Sequence, residues 1–421
     1  MMYNAFELQK TLLSPAVKLA SATSRLLLHP RNPIGKTYLG RTIAANNEMF
    51  ARIHRRYAKP SFGIDSIEVD GAHIPIHEEV VFHKPFCSLL RLTRKDVSTA
   101  PKLLVVAPLS GHFATLLRDT VRTALHDFDV YVTDWIDARL VPLSEGPFHL
   151  DDYIEYVMEF MIFLGSGAHT LAVCQPTVPV LAAVALLAER SDPCTPSTMT
   201  LMAGPIDTRL NPTEVNRFAN SKTLGWFEKN VIHSVPVNQP GFRRKVYPGF
   251  LQHMGFVAMN PDRHMKAYRD FYLDVIRNKQ KDAEAHRSFY DEYNAVLDMA
   301  AEYYLDTIRV VFQEQLMPRR MMTVRGHLVR PELIRKTALF TVEGAHDDIV
   351  GIGQTRAAQT LCRGIPESMR KHLLAEKVGH YGVFSGHRFR EQIYPQIRDF
   401  IAQHAPSQST VQTALPEPSD D

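Results

Sequence analysis

Apolar residues change rhythm along the chain, and each rhythm predicts a different kind of element. In the first sixty residues Leu8, Leu12, Leu13, Ala16, Val17 and Ala20 recur at helical spacing, with Pro15 as an interruption. That predicts amphipathic helices. Such an extension packs against a main body or touches a lipid-like or polymeric surface. From Ser66 the period shortens to two. Ile67-Glu68-Val69, the turn pair Asp70-Gly71, then Ile74-Pro75-Ile76 and Glu79 to Phe82 predict antiparallel strands around a tight turn, with a further strand over Phe86 to Leu92.

After Pro101 the pattern becomes continuous apolar runs alternating with helical stretches. Leu103 to Ala107 predicts a strand buried on both faces, ending in Pro108-Leu109-Ser110-Gly111-His112. Leu116 to His126 predicts a helix, Val130 to Thr133 a strand closed by Asp134-Trp135, and Leu150 to Leu164 a helix. Leu171-Ala172-Val173 predicts the next strand and Val178 to Ala188 the helix after it, with Cys174 at the turn between them. Thr198 to Met202 predicts another strand. Repeated strand–helix units predict a mostly parallel sheet with helices on both faces.

The alternation breaks over residues 209–330. This region is rich in aromatic residues, among them Trp226, Phe227, Phe250, Phe256 and Tyr268, and its second half, Met265 to Gln315, reads as long helices. An inserted helical cap is expected, of the kind that restricts water and shapes substrate access. Strands return at Thr337 to Val342 and at His372 to Val378, and Phe389 to His404 reads as a closing helix. The expected organisation is a helical extension (1–60), a first part of the α/β core (61–208), the cap (209–330), a second part of the core (331–404) and a Pro/Ser/Thr-rich disordered tail (405–421).

Composition narrows the classes. With 421 residues, 45% hydrophobic and 22% charged, the chain has the makings of a large core. A net charge of +3 gives no argument for nucleic acid. No run approaches the length of a membrane-spanning helix, and no signal peptide is seen. The four cysteines, Cys87, Cys174, Cys194 and Cys362, have neither metal-ligand nor redox spacing. His73 and His77 form one His-x-x-x-His pair, but Pro75 between them argues against a helix, so they read as solvent-facing strand residues. No metal and no cofactor are expected, and no Gly-rich phosphate loop appears.

The candidate chemistry lies at strand ends. A thiol on a strand-to-helix turn stands at the carboxyl edge of a sheet, facing the N–H groups and positive dipole end of the helix that follows. A thiolate is the nucleophilic form of cysteine, and such a field favours it. The outline is that of a nucleophile elbow, usually G-x-S-x-G; here the slots hold Ala172, Val173, Cys174, Gln175 and Pro176. Asp347 and His380 follow two later strands. The order nucleophile, acid, base at one sheet edge predicts a triad in which Cys174 attacks an acyl carbon, His380 moves the proton and Asp347 orients the ring. Asp348 and Asp207 compete with Asp347 as the acid, and His346 and His387 flank the two sites. The backbone N–H of Gln175, with that of Leu109 or Ser110, would hold the oxyanion. Trp135 and Trp226 are candidate substrate contacts.

At these residues the sequence resembles the intracellular poly(3-hydroxybutyrate) depolymerases. The stretches LAVCQPTVPVLAA, VEGAHDDIVGIGQT and VGHYGVFSGHRF carry the resemblance, together with KLLVVAPLSGHFATLLRDTV, DVYVTDWIDARLVP and MNPDRHMKAYRDFY. It implies an α/β-hydrolase fold and a Cys–Asp–His triad on Cys174, Asp347 and His380. It also implies hydrolysis of a storage polyester in the cytoplasm at the granule surface. Coenzyme A is a candidate acyl acceptor beside water, and self-association is left open. The related polyester synthases keep glycines in the elbow, G-x-C-x-G, which this chain lacks; a synthase-like acyltransferase and a non-catalytic granule-coating protein are the alternatives.

Overall fold

The computed structural model describes residues 2–96, 100–259 and 261–405. Two helices open the chain, α1 (Met2–Leu28) and α2 (Tyr38–His54). Pro15 does not interrupt α1; it lies inside the helix on an exposed position. Thr37 caps α2 by accepting the Gly40 N–H at 3.0 Å.

The centre is a nine-stranded sheet. Its first strands are β1 (Ser66–Val69), β2 (Ala72–Lys84), β3 (Cys87–Arg94), β4 (Lys102–Val106), β5 (Asp129–Trp135), β6 (His169–Val173) and β7 (Thr198–Met202). The two segments expected after Asp70-Gly71 are one long β2. Asp70 and Gly71 both have positive φ, 50° and 78°, the backbone of the primed turn that matches strand twist. β1, β2, β3 and β5 pair antiparallel, whereas β5, β4, β6 and β7 pair parallel. The parallel strands are buried almost throughout because both faces are covered: α3 (Arg118–Ala124), α4 (Leu150–Leu164) and α5 (Thr177–Glu189) connect them. Eleven residues of α5 are buried, which is why its sequence is apolar all round rather than striped.

Between β7 and the next sheet strand the chain leaves the sheet. This excursion holds α6 (Glu214–Ser221), α7 (Leu224–Val231), a small antiparallel sheet of β8 (His233–Ser234), β9 (Lys245–Tyr247) and β10 (Met299–Ala300), and three helices between its strands, α8 (Gly249–Met259), α9 (Pro261–Ile276) and α10 (Gln280–Tyr293). After β10 come α11 (Ala301–Thr307) and the ribbon β11 (Thr323–Val324) with β12 (His327–Leu328). The chain re-enters as β13 (Ala338–Gly344), parallel to β7, and β14 (Arg370–Ala375), parallel to β13.

The excursion and the N-terminal helices are one packed body. Ala45 of α2 is buried among Phe271, Val275, Ile276 and Ala283. Glu48 pairs with Arg287 at 2.6 Å, and Arg52 with Asp291 at 2.7 Å. Tyr3, near the start of α1, is buried and hydrogen-bonds Asp298, just before β10.

The sheet order is β1-β2-β3-β5-β4-β6-β7-β13-β14. The chain runs from β4 out to β5 on one side, then back across to β6 on the other. In an open parallel sheet, that reversal leaves a crevice beyond the carboxyl ends of the two inner strands, here β4 and β6.

Candidate active site

Cys174 is the first residue after β6, at that crevice. Its φ is 67°, the left-handed region that a non-glycine side chain enters only under constraint. Three hydrogen bonds hold it there. Its N–H donates to Met202 O at 2.8 Å, tying the turn to β7, while its carbonyl accepts the Thr177 N–H at 3.2 Å and Thr177 Oγ1 at 2.9 Å. A sharp elbow crowds its neighbours, which is why glycines usually flank it. Here the room comes from the next strand: a Cβ on Gly204, just past β7, would lie 1.8 Å from Thr177 Oγ1. The glycine that spaces the turn is thus thirty residues away from it in sequence, which accounts for a working elbow geometry with Ala172 and Pro176 in the usual glycine slots.

Asp347 follows β13 and His380 follows β14. His380 Nδ1 lies 2.8 Å from Asp347 Oδ2, and both side chains are almost fully buried, 6% and 1% exposed. Asp347 Oδ1 accepts the N–H groups of Ile349 at 2.9 Å and Val350 at 2.8 Å, so the carboxylate cannot swing away from the ring. The two loops are stitched together by their backbones: Ala345 N–H to Ala375 O at 3.0 Å and His346 N–H to Val378 O at 2.8 Å. Phe384 and Tyr381 stand edge-on to the imidazole at 5.9 and 5.8 Å. Burial by itself would push the His380 ring below its ordinary value. The Asp347 charge, then the Cys174 sulfur, through charge and side-chain hydrogen bonds, reverse this and hold the ring well above it. The three side chains therefore meet in one place, with a cation favoured between a carboxylate and a thiol.

The alternative acids are occupied or turned away. Asp207 is bound by Arg209 through two side-chain bonds of 2.7 Å, which, against burial, lower its carboxyl pKa. Asp348 and His346 are exposed, and His387 pairs with Glu391 at 2.7 Å on the surface.

Around the thiol, no residue among those described accepts the backbone N–H of Gln175, Leu109 or Ser110. Such donors are what a developing oxyanion requires. The loop after β4 is fixed from behind and from above. Ala107 N–H donates to Thr133 Oγ1 at 2.9 Å, and Ala107 O accepts from Trp135 Nε1 at 2.8 Å and Tyr153 OH at 3.2 Å. From the cap, the Leu297 N–H donates to Gly111 O at 2.7 Å, and buried His112 lies 3.2 Å from Tyr293 O through Nε2. Burial, against the Tyr293 carbonyl contact, pushes the His112 ring down to about 4, so it is a neutral spacer there.

The two tryptophans are not placed alike. Trp135 is 0% exposed and stacks on Tyr153 at 4.1 Å, so it supports the loop after β4 and corrects the expectation of a substrate contact. Trp226 belongs to a separate apolar cluster with Ala219, Phe227 and Ile308, not to the core against which Cys174 packs. His73 and His77 both lie exposed on β2. Among the described residues no group of three or more His, Cys, Asp or Glu is arranged to hold a metal ion.

A mostly parallel sheet covered on both faces, a helical excursion before the acid-bearing strand, and a nucleophile-type residue on a strand–helix elbow define an α/β-hydrolase. Residues 203–405 match the family described as PHB de-polymerase C-terminus. That span, just under half of the chain, is similar to this family, which is consistent with a hydrolase. No curated protein matches it. Solved structures similar to it include a putative lipase from Acinetobacter baumannii AYE, at 12% identity over 78% of this chain and 92% of that one, with a TM-score of 0.43. The 2-hydroxy-6-oxo-6-phenylhexa-2,4-dienoate hydrolase of Rhodococcus sp. strain RHA1 is also 12% identical, over 78% and 99%, with a TM-score of 0.45. A monoacylglycerol lipase from Paleococcus ferrophilus is 12% identical over 73% and 96%, with a TM-score of 0.43.

Proposed function

We propose that the protein is a carboxylic ester hydrolase that cleaves poly(3-hydroxybutyrate) through a Cys174–His380–Asp347 triad. The observation that carries this reading is the strained Cys174 elbow in contact with an imidazole that Asp347 grips at 2.8 Å. Cys174 Sγ attacks the ester carbonyl as its proton passes to His380. The oxyanion is taken by the N–H of Gln175 and that of Leu109 or Ser110. As the C–O bond breaks, His380 protonates the departing alkoxide and an acyl-thioester remains. Water, or the thiol of coenzyme A, then attacks the thioester with His380 as base, releasing 3-hydroxybutyrate, its oligomers or the coenzyme A thioester.

The substrate is a solid, so the protein must work at its surface. The N-terminal helices support that. Leu8, Leu12, Leu19 and Leu26 are each 60–71% exposed along one side of α1. The first sixty residues carry ten Lys and Arg against two Glu. An apolar stripe within a cationic helix pair suits a granule interface. A catalytic thiol keeps its function in a reducing compartment, which supports a cytoplasmic, granule-associated protein. Among the described residues no helix is long and apolar enough to cross a membrane.

Release of 3-hydroxybutyrate from amorphous granules tests the reading. Cys174→Ala should lower it by roughly three orders of magnitude or more. Undiminished release by Cys174→Ala would end the thiol mechanism.

A further inference from the structure

Beside the triad lies a cavity of about 520 Å³ that the reaction as written leaves unassigned. One wall is the far side of the histidine loop: Tyr381 and Phe384, whose rings flank His380, both line it. The opposite wall is Leu116 and the start of α3, which follow the loop after β4. Phe289 of α10 closes it from the cap. The cavity is therefore separated from the imidazole by no more than the two rings that flank it.

Its charges do not cancel. Arg118, Arg122 and Arg390 face two acids, Asp119 and Glu292. Glu292 is held by Arg118 and by Thr115 Oγ1 at 2.8 Å. Asp119 is held by Arg390 at 2.7 Å and by the Gly386 N–H. Arg122 has no anionic partner among the described residues and is exposed to the cavity's solvent. An apolar-walled pocket with one uncommitted guanidinium suits a short aliphatic chain that ends in a carboxylate.

The polarity of the polyester supplies such a chain. When an ester of poly(3-hydroxybutyrate) is cleaved by a thiol, the acyl part that stays on sulfur carries the hydroxyl end of the polymer. The part that leaves is an alcohol, and its other end is the free carboxylate. We propose that this cavity binds the leaving segment and that Arg122 takes its terminal carboxylate, so that short chains are cut from the carboxylate end. The proposal rests on the polyester-hydrolase reading for the identity of the segment. The bonds balance without any added reagent: C–O breaks, C–S forms, and the Cys174 proton reaches the leaving oxygen through His380.

Two measurements keep the site and the reaction apart. In the Cys174→Ala protein, which cannot turn over, binding of 3-hydroxybutyrate and of its methyl ester is measured by ligand-observed NMR. The acid should bind roughly tenfold tighter than the ester. Arg122→Gln should erase that preference, and Arg122→Lys should retain part of it. In the otherwise unmodified enzyme, Arg122→Gln should raise KM roughly tenfold for a hydroxybutyrate trimer with a free carboxylate, leaving kcat and the trimer methyl ester unchanged. Equal binding of acid and ester, or equal effects of Arg122→Gln on both trimers, would overturn the proposal. Carboxylate binding that depends on Arg122 in a protein that releases nothing from polyester would leave the site standing and remove the polyester reading instead. Arg122 is exposed and unpaired among the described residues, so neither replacement disturbs a buried contact.

Discussion

Two buried acidic clusters stand past the carboxyl ends of sheet strands, and they are built to opposite ends. After β13, Asp347 meets one histidine and two backbone N–H groups, with the thiol on the other side of the ring. After β5, Asp137 meets a second acid. Its Oδ1 accepts the N–H of Asp298 at 3.2 Å and of Arg139 at 3.1 Å, and Oδ2 lies 2.9 Å from Arg139 Nε. Asp298 in turn holds the Gly249 N–H at 2.8 Å and the Tyr3 hydroxyl. Burial, then the Asp298 charge, pushes the Asp137 carboxyl up to about 7 despite Arg139. The first cluster turns burial into a poised cation. The second turns it into a joint between the core, the cap and the first helix, where burial raises both carboxyls above their ordinary value. Burial alone therefore does not mark an active site; what marks it here is a titratable partner open to a reacting group.

The sharpest test of that contrast is Asp347→Asn. The amide keeps the shape but no longer fixes the tautomer or steadies the charge on His380. In the polyester reading kcat should fall by roughly two to four orders of magnitude, with the thermal midpoint nearly unchanged. Granule assays paired with calorimetry read both quantities. A variant that lost stability but kept its turnover would make Asp347 a joint like the other cluster.

The first cluster was legible in the sequence and the second was not, and the reason is range. Cys174, Asp347 and His380 each sit at a strand end, and apolar runs followed by polar turns announce strand ends locally. What no local pattern decides is which of Asp347 and Asp348 turns inward; the Ile349 and Val350 N–H bonds decide it. Asp207 carried a local sign that it was taken, an arginine two residues on. Tyr3 and Asp298 are 295 positions apart, and no periodicity joins them. Trp135 misled for a related reason. It ends the buried strand β5, where an indole is useful as a donor to a backbone carbonyl, yet the sequence shows only a large ring next to a candidate site. Arg122 lies unmarked within the predicted helix Leu116 to His126; only the pairing of its neighbours singles it out.

A smaller effect, on stability rather than turnover, is expected from the second cluster. Asp298→Ala removes the acceptor for both the Tyr3 hydroxyl and the Gly249 N–H and leaves Arg139 with one acid. Leaving buried polar groups unmatched costs about 3 kcal/mol. Chemical denaturation should show that loss, while turnover per folded molecule stays near that of the unmodified protein. Turnover falling as far as in Asp347→Asn would mean that this joint also serves the reaction.

The finest distinction lies in the pH dependence of stability. A carboxyl raised from 3.8 to about 7 binds its proton more tightly folded than unfolded. The folded state then holds more protons across that interval, so this group's contribution to stability falls as pH rises from about 4 to about 7 and is constant above it. Asp137→Asn keeps the oxygen that accepts the Arg139 and Asp298 N–H groups but removes the titration. The difference in unfolding free energy, variant minus unmodified protein, should therefore shift steadily in the variant's favour over that interval and then level off. Urea titrations at several pH values measure it. A difference that stays flat would mean that Asp137 is charged throughout, balanced by Arg139 alone, and the proton assigned to this cluster would fall away.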